Sequence, residues 1–228
     1  TDRDSVNLTE TAKSAGWALR PVPRHNQGIP VFKSMFQDAA QAFNTPFYAF
    51  ANADILFDES LLETLKTMYD MNITDAKYKW TGVPNSVKDM SYDDLEKRDP
   101  SGGLLVIGRR TNVNTTDLDD ELSLHDIARE KGKLFMTNAE DYFITTKNGL
   151  PWQDIPDLVI GRPGYDNWLV ARAIDWKTTV IDASSAILAV HQTGIDGNLA
   201  GWKSSNKTLC MNRHIVGGFD YRPGHSKC

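Results

Sequence analysis

Cysteine is nearly absent: the 228 residues hold only Cys210 and Cys228, both near the C-terminus. No disulfide framework can run along the chain. In an oxidising compartment the two could close a short terminal loop; alternatively both are free, or Cys228 pairs outside the chain. Positive charge is also short, with 25 Lys and Arg against 30 Asp and Glu and a formal net charge of -5. The basic footprint of a nucleic-acid binder is missing, so nucleic acid is not an expected partner. No apolar run reaches the length of a membrane span, and none is expected in this chain. No signal peptide opens it. The first residues are Thr1-Asp-Arg-Asp, without Met, and a processed or trimmed product is expected. Internal repeats and low-complexity blocks are absent too.

What is present is the composition of an ordinary globular protein, 40% hydrophobic and 24% charged, with enough chain for one large domain or two small ones. Four N-x-[ST] sequons occur, at Asn7, Asn72, Asn114 and Asn206, where roughly two would arise by chance. Together with the terminal cysteines they predict a secretory-pathway lumen (the Golgi) or the extracellular space, with N-glycan on at least one of the four.

The chain is organised around the stretch Thr45-Pro-Phe-Tyr-Ala-Phe-Ala-Asn-Ala-Asp-Ile-Leu-Phe-Asp58. A short apolar run from Phe47 to Ala51 fits a strand buried on both faces. It delivers Asn52 and Asp54 at its carboxyl end, where open α/β sheets bind their ligands. Around it, residues 4–16 read as a helix capped by Asp4 or Ser5 and stopped by Gly16, and Arg24-His-Asn-Gln-Gly28 as a polar loop. Phe32, Met35, Phe36, Ala39 and Phe43 form a helical stripe. Ser60-Leu-Leu-Glu63 reads as a capping box that starts a helix running to about Met71. Residues 75–103 read as loop with room for one strand. Leu104–Ile107 and Ile187–Val190 are expected as interior strands beside Phe47–Ala51, with further strands at Asp141–Thr146 and Thr178–Asp182. Helices are expected within 117–132 and from Tyr165 to Ile174. Strands alternating with helices predict an α/β fold with a mixed, mainly parallel central sheet flanked by helices. The domain is expected over residues 1–195, with a C-terminal tail over 196–228.

Polar clusters follow several apolar runs: Asn52 and Asp54, Arg109 and Arg110, and His191. Asp166 and Asn167 open a helix behind a Gly-Pro-Gly bend. The amide and carboxylate oxygens of Asn52 and Asp54 suit Mn²⁺ or Mg²⁺, which could grip a diphosphate. Taken singly, each has a plainer reading: Asp54 caps a turn, His191 is a satisfied structural histidine, and the arginines are surface charges. Glu140 and Asp141 form a competing acidic pair. Because they precede their strand, they are expected at the opposite edge of the sheet.

Six runs occur in order: Asn-Gln-Gly-Ile-Pro, Phe-Ala-Asn-Ala-Asp-Ile-Leu-Phe, Ile-Gly-Arg-Arg, Ala-Glu-Asp-Tyr-Phe, Gly-Arg-Pro-Gly-Tyr-Asp-Asn-Trp-Leu, and Val-Ile-Asp-Ala with Ala-Val-His-Gln. In this order, over about residues 20–195, the chain resembles glycosyltransferases of the GT-A, nucleotide-diphospho-sugar transferase type. The resemblance implies a GT-A-like fold. It places the family's D-x-D element on Asn52-Ala-Asp54, with Asn in the first acidic position. It further implies Mn²⁺ or Mg²⁺ held by Asp54 and His191, a nucleotide-sugar donor near Asn52, Asp54, Arg109 and Arg110, and Asp166 as the acceptor-side base. The family's opening strand–helix–strand unit has no counterpart in residues 1–23. Either a companion chain supplies that part or the nucleotide pocket is incomplete. Two functions are therefore expected: metal-dependent transfer of a sugar from a nucleotide-sugar donor to a glycan or protein hydroxyl, or a secreted, non-catalytic glycoprotein that keeps the fold and binds a glycan or a protein.

Overall fold

A computed structural model of the chain describes residues 2–71, 103–117, 122–137, 139–194 and 208–217. Asn72, Asn206 and Cys228, and most of the expected loop 75–103, lie outside the described residues.

The amino-terminal helix α1 spans Asp2–Ser14. The expected polar loop is instead a hairpin of β1 (His25–Asn26) and β2 (Ile29–Pro30). Its two-residue turn, Gln27-Gly28, has φ of 49° and 78°, the paired left-handed conformation that matches the twist of a tight hairpin. Helix α2 (Phe32–Ala42) carries Phe32, Met35, Phe36 and Ala39 of the predicted stripe, whereas Phe43 lies past its end and is exposed. Then come β3 (Tyr48–Ala51), β4 (Ile55–Phe57) and helix α3 (Ser60–Asp70). Next are β5 (Leu104–Gly108), β6 (Thr111–Asn114) and a 3₁₀ turn at Thr115–Asp117. Helix α4 (Leu124–Lys131) starts at Ser123, whose hydroxyl accepts the Asp126 N–H. It leads to β7 (Lys133–Leu134) and β8 (Tyr142–Thr145). Helix α5 (Tyr165–Asp175), β9 (Thr179–Asp182), β10 (Ala189–Thr193) and the short helix α6 (Met211–Ile215) complete the described elements.

The class is mixed α/β, but the strands make two four-stranded sheets, in the orders β3-β8-β5-β9 and β4-β10-β6-β7. The expectation of a mainly parallel sheet is corrected. Among the described residues β5/β9 and β6/β10 pair in parallel, and the other pairs in both sheets are antiparallel. The cause is how the chain returns. Residues 135–141 bring it back from β7 at the edge where β3 and β5 leave, so β8 must run against both. The strand expected at Ile187–Val190 is also shifted. Asp182 Oδ1 accepts the Ser184 N–H at 2.9 Å, and the N–H groups of Ala186 and Ile187 both reach the Ala183 carbonyl. This turn delays the strand to Ala189, so His191 lies inside β10 rather than at its end. Phe47–Ala51 was expected inside a sheet, yet β3 is an edge strand among the described residues. Its apolar run reports packing, not pairing: Tyr48 and Phe50 meet one core cluster and Phe47 and Ala51 the other, while Ala49 is exposed.

Burial follows the period-two alternation of β5. Leu105 and Ile107 enter a cluster with Phe32 and Phe36 of α2, Phe143 of β8, and Trp168 and Leu169 of α5. Leu104 and Val106 enter another with Tyr142, Ile144, Ile187 and Met68 of α3. Phe32 touches Phe36, Phe50 and Phe143 edge-on with centroids 5.2 to 5.7 Å apart, contacts worth about 0.5–1.5 kcal/mol each beyond burial. Val113, Ile127 and Val190 form the smaller core under the second sheet.

Three passes of the chain cross from the first sheet to the second. They run from β3 to β4 through Asn52-Ala53-Asp54, from β5 to β6 through Arg109-Arg110, and from β9 to β10 through residues 183–188. Backbone bonds stitch the crossings together: Asp54 O accepts Gln192 N–H at 3.2 Å, Arg110 O accepts Phe135 N–H at 2.9 Å, and Gly108 O accepts Asp141 N–H at 3.0 Å. The polar clusters singled out in the sequence gather along this seam.

Candidate functional site at the seam between the sheets

Asp54 ends a tight turn in which Asn52 O accepts the Ile55 N–H at 3.2 Å. His191 sits in the middle of β10, opposite Ile55 on one side and Asn112 on the other. That pairing brings residues 137 positions apart together, with His191 Nε2 3.1 Å from Asp54 Oδ2. The imidazole is buried, whereas the Asp54 side chain is 53% exposed. On the far side of the ring, Nδ1 lies 3.2 Å from Thr193 Oγ1. A hydroxyl can donate or accept, so Thr193 holds the ring in either tautomer. Burial and the nearby Arg110 charge push the His191 pKa down against the pull of Asp54, which favours the neutral, ligating imidazole.

Arg110 and Arg109 separate in role. Arg110 is buried and ion-paired with Asp141; its backbone N–H also reaches Asp141 Oδ2 at 3.3 Å, and its Nε donates to Asn112 Oδ1 at 3.0 Å. Its guanidinium lies 4.1 Å from the centre of the Phe135 ring, a distance at which a cation is attracted to an aromatic face. It is a structural hub, not an arm open to a diphosphate. Arg109 is partly exposed; its backbone N–H is bonded to Ser184 Oγ at 2.9 Å and its guanidinium reaches the Phe135 carbonyl at 3.5 Å.

The largest departure from the sequence reading concerns Glu140 and Asp141. They were expected at the opposite edge. Because β8 is antiparallel, Tyr142 pairs with both Ala51 and Gly108, so the acidic pair enters the seam. Glu140 lies close enough to Asp166, Asp141 and Asp182 to feel their charges. Burial first, then Asp166, push its carboxyl up to about 7. Burial also raises Asp141, with the Arg110 guanidinium opposing it. Glu140 Oε2 and the Tyr142 hydroxyl are buried without a hydrogen-bond partner among the described residues. Tyr142 fills the place a side chain at position 108 would need: a Cβ on Gly108 would meet the hydroxyl at 1.9 Å. The signal that could have found Glu140 was the direction of β8, which the local sequence does not carry.

Asp166 stands in the first turn of α5, behind Gly161 and Gly164 with φ of 66° and 98°. Positive φ at both positions makes a bend that residues with side chains rarely adopt. The bend is clamped from the C-terminal segment. Asn212, only 1% exposed, accepts the Val159 N–H at 2.8 Å and donates to the carbonyls of Val159 and Arg162, both at 2.9 Å.

The donor set at Asp54 and His191 fits a divalent cation. One carboxylate oxygen and one imidazole nitrogen suit Mn²⁺ in particular, and two protein donors leave positions for phosphate oxygens and water. Among the described residues no group of three His, Cys, Asp or Glu converges on one point. Of the other predicted site residues, Asn114 is exposed at the end of β6 and donates to Asp117 Oδ2 at 3.3 Å, and Asn7 falls within α1. Cys210 directly precedes α6, and its proposed partner Cys228 lies outside the described residues. No helix among the described residues is long and apolar enough to cross a membrane. A cleft of about 320 Å³ lined by Gln37, Gln41, Asn148 and Trp152 contains none of the predicted residues. The chain matches no protein-family model, no curated protein and no solved structure.

Proposed function

We propose that the chain is a metal-dependent glycosyltransferase of GT-A type, moving a sugar from a nucleotide-sugar donor to an acceptor hydroxyl. The observation that carries this reading is the approach of His191 Nε2 to Asp54 Oδ2 at 3.1 Å across the seam. Asp54 and His191 would hold Mn²⁺ or Mg²⁺ beside Asn52, and Arg109 would face the donor diphosphate. When bound, the cation offsets negative charge on the departing nucleoside diphosphate. The proton of the acceptor hydroxyl goes to Glu140 in this reading rather than to Asp166. A carboxyl held at about 7 by burial and by Asp166 is matched to proton transfer near neutral pH. Asp166 acts on Glu140 by its charge. The four sequons and the C-terminal cysteines support a luminal or extracellular setting, with Cys210–Cys228 as the proposed disulfide.

One feature favours the non-catalytic glycoprotein reading: among the described residues no third His, Cys, Asp or Glu joins Asp54 and His191, while Arg110 is committed to Asp141. A thermal-shift screen of UDP- and GDP-sugars with and without Mn²⁺ separates the two. The transferase reading expects at least one nucleotide sugar to raise the melting temperature only when metal is present, since a ligand bound to the folded state alone stabilises it. No metal-dependent shift with any donor leaves the glycoprotein reading in its place.

A further inference from the structure

The C-terminal segment, read from sequence as a tail, contributes a fully buried polar side chain to the body of the molecule. Asn212 satisfies one donor and two acceptors of the backbone between Val159 and Arg162. A buried amide completing three such bonds fixes geometry, because each lost partner would leave a buried backbone group unpaired. The segment it grips is held from the other side as well. Val31 bridges Val159, Phe32 N–H reaches Leu158 O at 2.8 Å, and Ile160 N–H reaches Pro30 O at 3.1 Å. A second link runs from the bend to the same C-terminal segment: Arg162 Nε donates to Thr208 Oγ1 at 2.9 Å. Leu209 and Met211 are buried, and Ile215 and Val216 pack on the core formed with α2 and α5, so α6 is anchored where Asn212 needs it. Past Arg162, the last carbonyl the clamp holds, only Pro163 and Gly164 precede α5, which presents Asp166 in its first turn.

We propose that Asn212 is a positioning residue that fixes the Gly161–Gly164 bend and thereby sets the reach of Asp166 toward Glu140, which makes the C-terminal segment part of the site. This deepens the transferase reading and rests on it for the role of Glu140, but its test needs no substrate. Without the clamp the bend relaxes, Asp166 draws away, and the charge that faces Glu140 from α5 weakens. The remaining charged groups that bear on Glu140 are Asp141 beside it, with its Arg110 partner from the crossing to β6, and Asp182 at the end of β9. None of them is tied to Asn212.

The experiment follows the Glu140 carboxyl by carbon NMR across a pH titration, with selective glutamate labelling, in the full chain and in Asn212→Ala. The expected result is a fall in the Glu140 midpoint, smaller than the roughly one unit that outright loss of a neighbouring like charge would give because Asp166 is still present. A role confined to stability would lower the melting temperature and leave the midpoint in place, and that outcome overturns the proposal. Should Asn212→Ala fail to fold, Thr208→Val decides. It removes only the link to Arg162 and is expected to lower the midpoint by a smaller amount; an unmoved midpoint there overturns the proposal equally. Failure of Mn²⁺ to bind at Asp54 and His191 would remove the transferase reading and leave this titration result standing, so the two can fail separately.

Discussion

Burial and the Asp166 carboxylate keep a proton on Glu140 to about pH 7, against 4.5 for an unperturbed glutamate. The folded state thus binds that proton more tightly than the unfolded chain. The associated stability is fully present below about pH 4.5 and is lost as pH rises through 7. A shift of this size corresponds to roughly 3 kcal/mol. Glu140→Gln, which cannot ionise, is expected to be more stable than the wild type at pH 8 by roughly 3 kcal/mol, with the advantage shrinking to about 1 kcal/mol at pH 5. Chemical denaturation at the two pH values measures it. An equal difference at both would mean that Glu140 titrates as an ordinary surface carboxylate. His191 pulls the other way. Its folded-state pKa is lowered, so its contribution is lost as pH falls below the ordinary histidine value near 6.5.

At the scale of elements, α3 shows how a local signal can be right about an element and wrong about what starts it. Ser60-Leu-Leu-Glu63 predicts a capping box. In the structure Asp58 Oδ1 accepts the Ser60 N–H at 3.0 Å, while Ser60 Oγ is turned to accept the Leu188 N–H at 2.9 Å. Asp58→Ala is therefore expected to cost about 1 kcal/mol, the usual cost of a lost cap, and Glu63→Ala to stay within about 0.5 kcal/mol. Urea midpoints of the two variants check this, and an equal loss in both would restore the capping box. The same division runs through the fold. Helices α2 and α5 and strands β5, β8 and β9 were legible because apolar spacing is a local property. The direction of β8, the edge position of β3 and the late start of β10 were not, since they depend on which distant segment lies alongside. Asp54 and His191 could be singled out because each borders or occupies an apolar strand. Arg110 could not be told from Arg109 by sequence. Only the entry of Asp141 into the seam buries one arginine and leaves its neighbour partly exposed.

At the scale of the molecule, three crossings from the first sheet to the second and the return from β7 to β8 meet at one seam, and the proposed function lies there. The seam holds a carboxylate–imidazole pair at Asp54 and His191, a buried Arg110–Asp141 ion pair next to it, and an elevated carboxyl at Glu140 beyond. Arg110 links the parts, since its charge bears on both His191 and Asp141. The central claim is that Asp54 and His191 together hold a divalent cation. Calorimetric titration of Mn²⁺ into the full chain, with and without UDP, tests it most directly. One saturable site is expected, tightened by UDP and weakened about tenfold or more, at least 1.4 kcal/mol, in both Asp54→Ala and His191→Ala. Binding of equal affinity in the wild type and both variants, or no binding in the wild type, would contradict it.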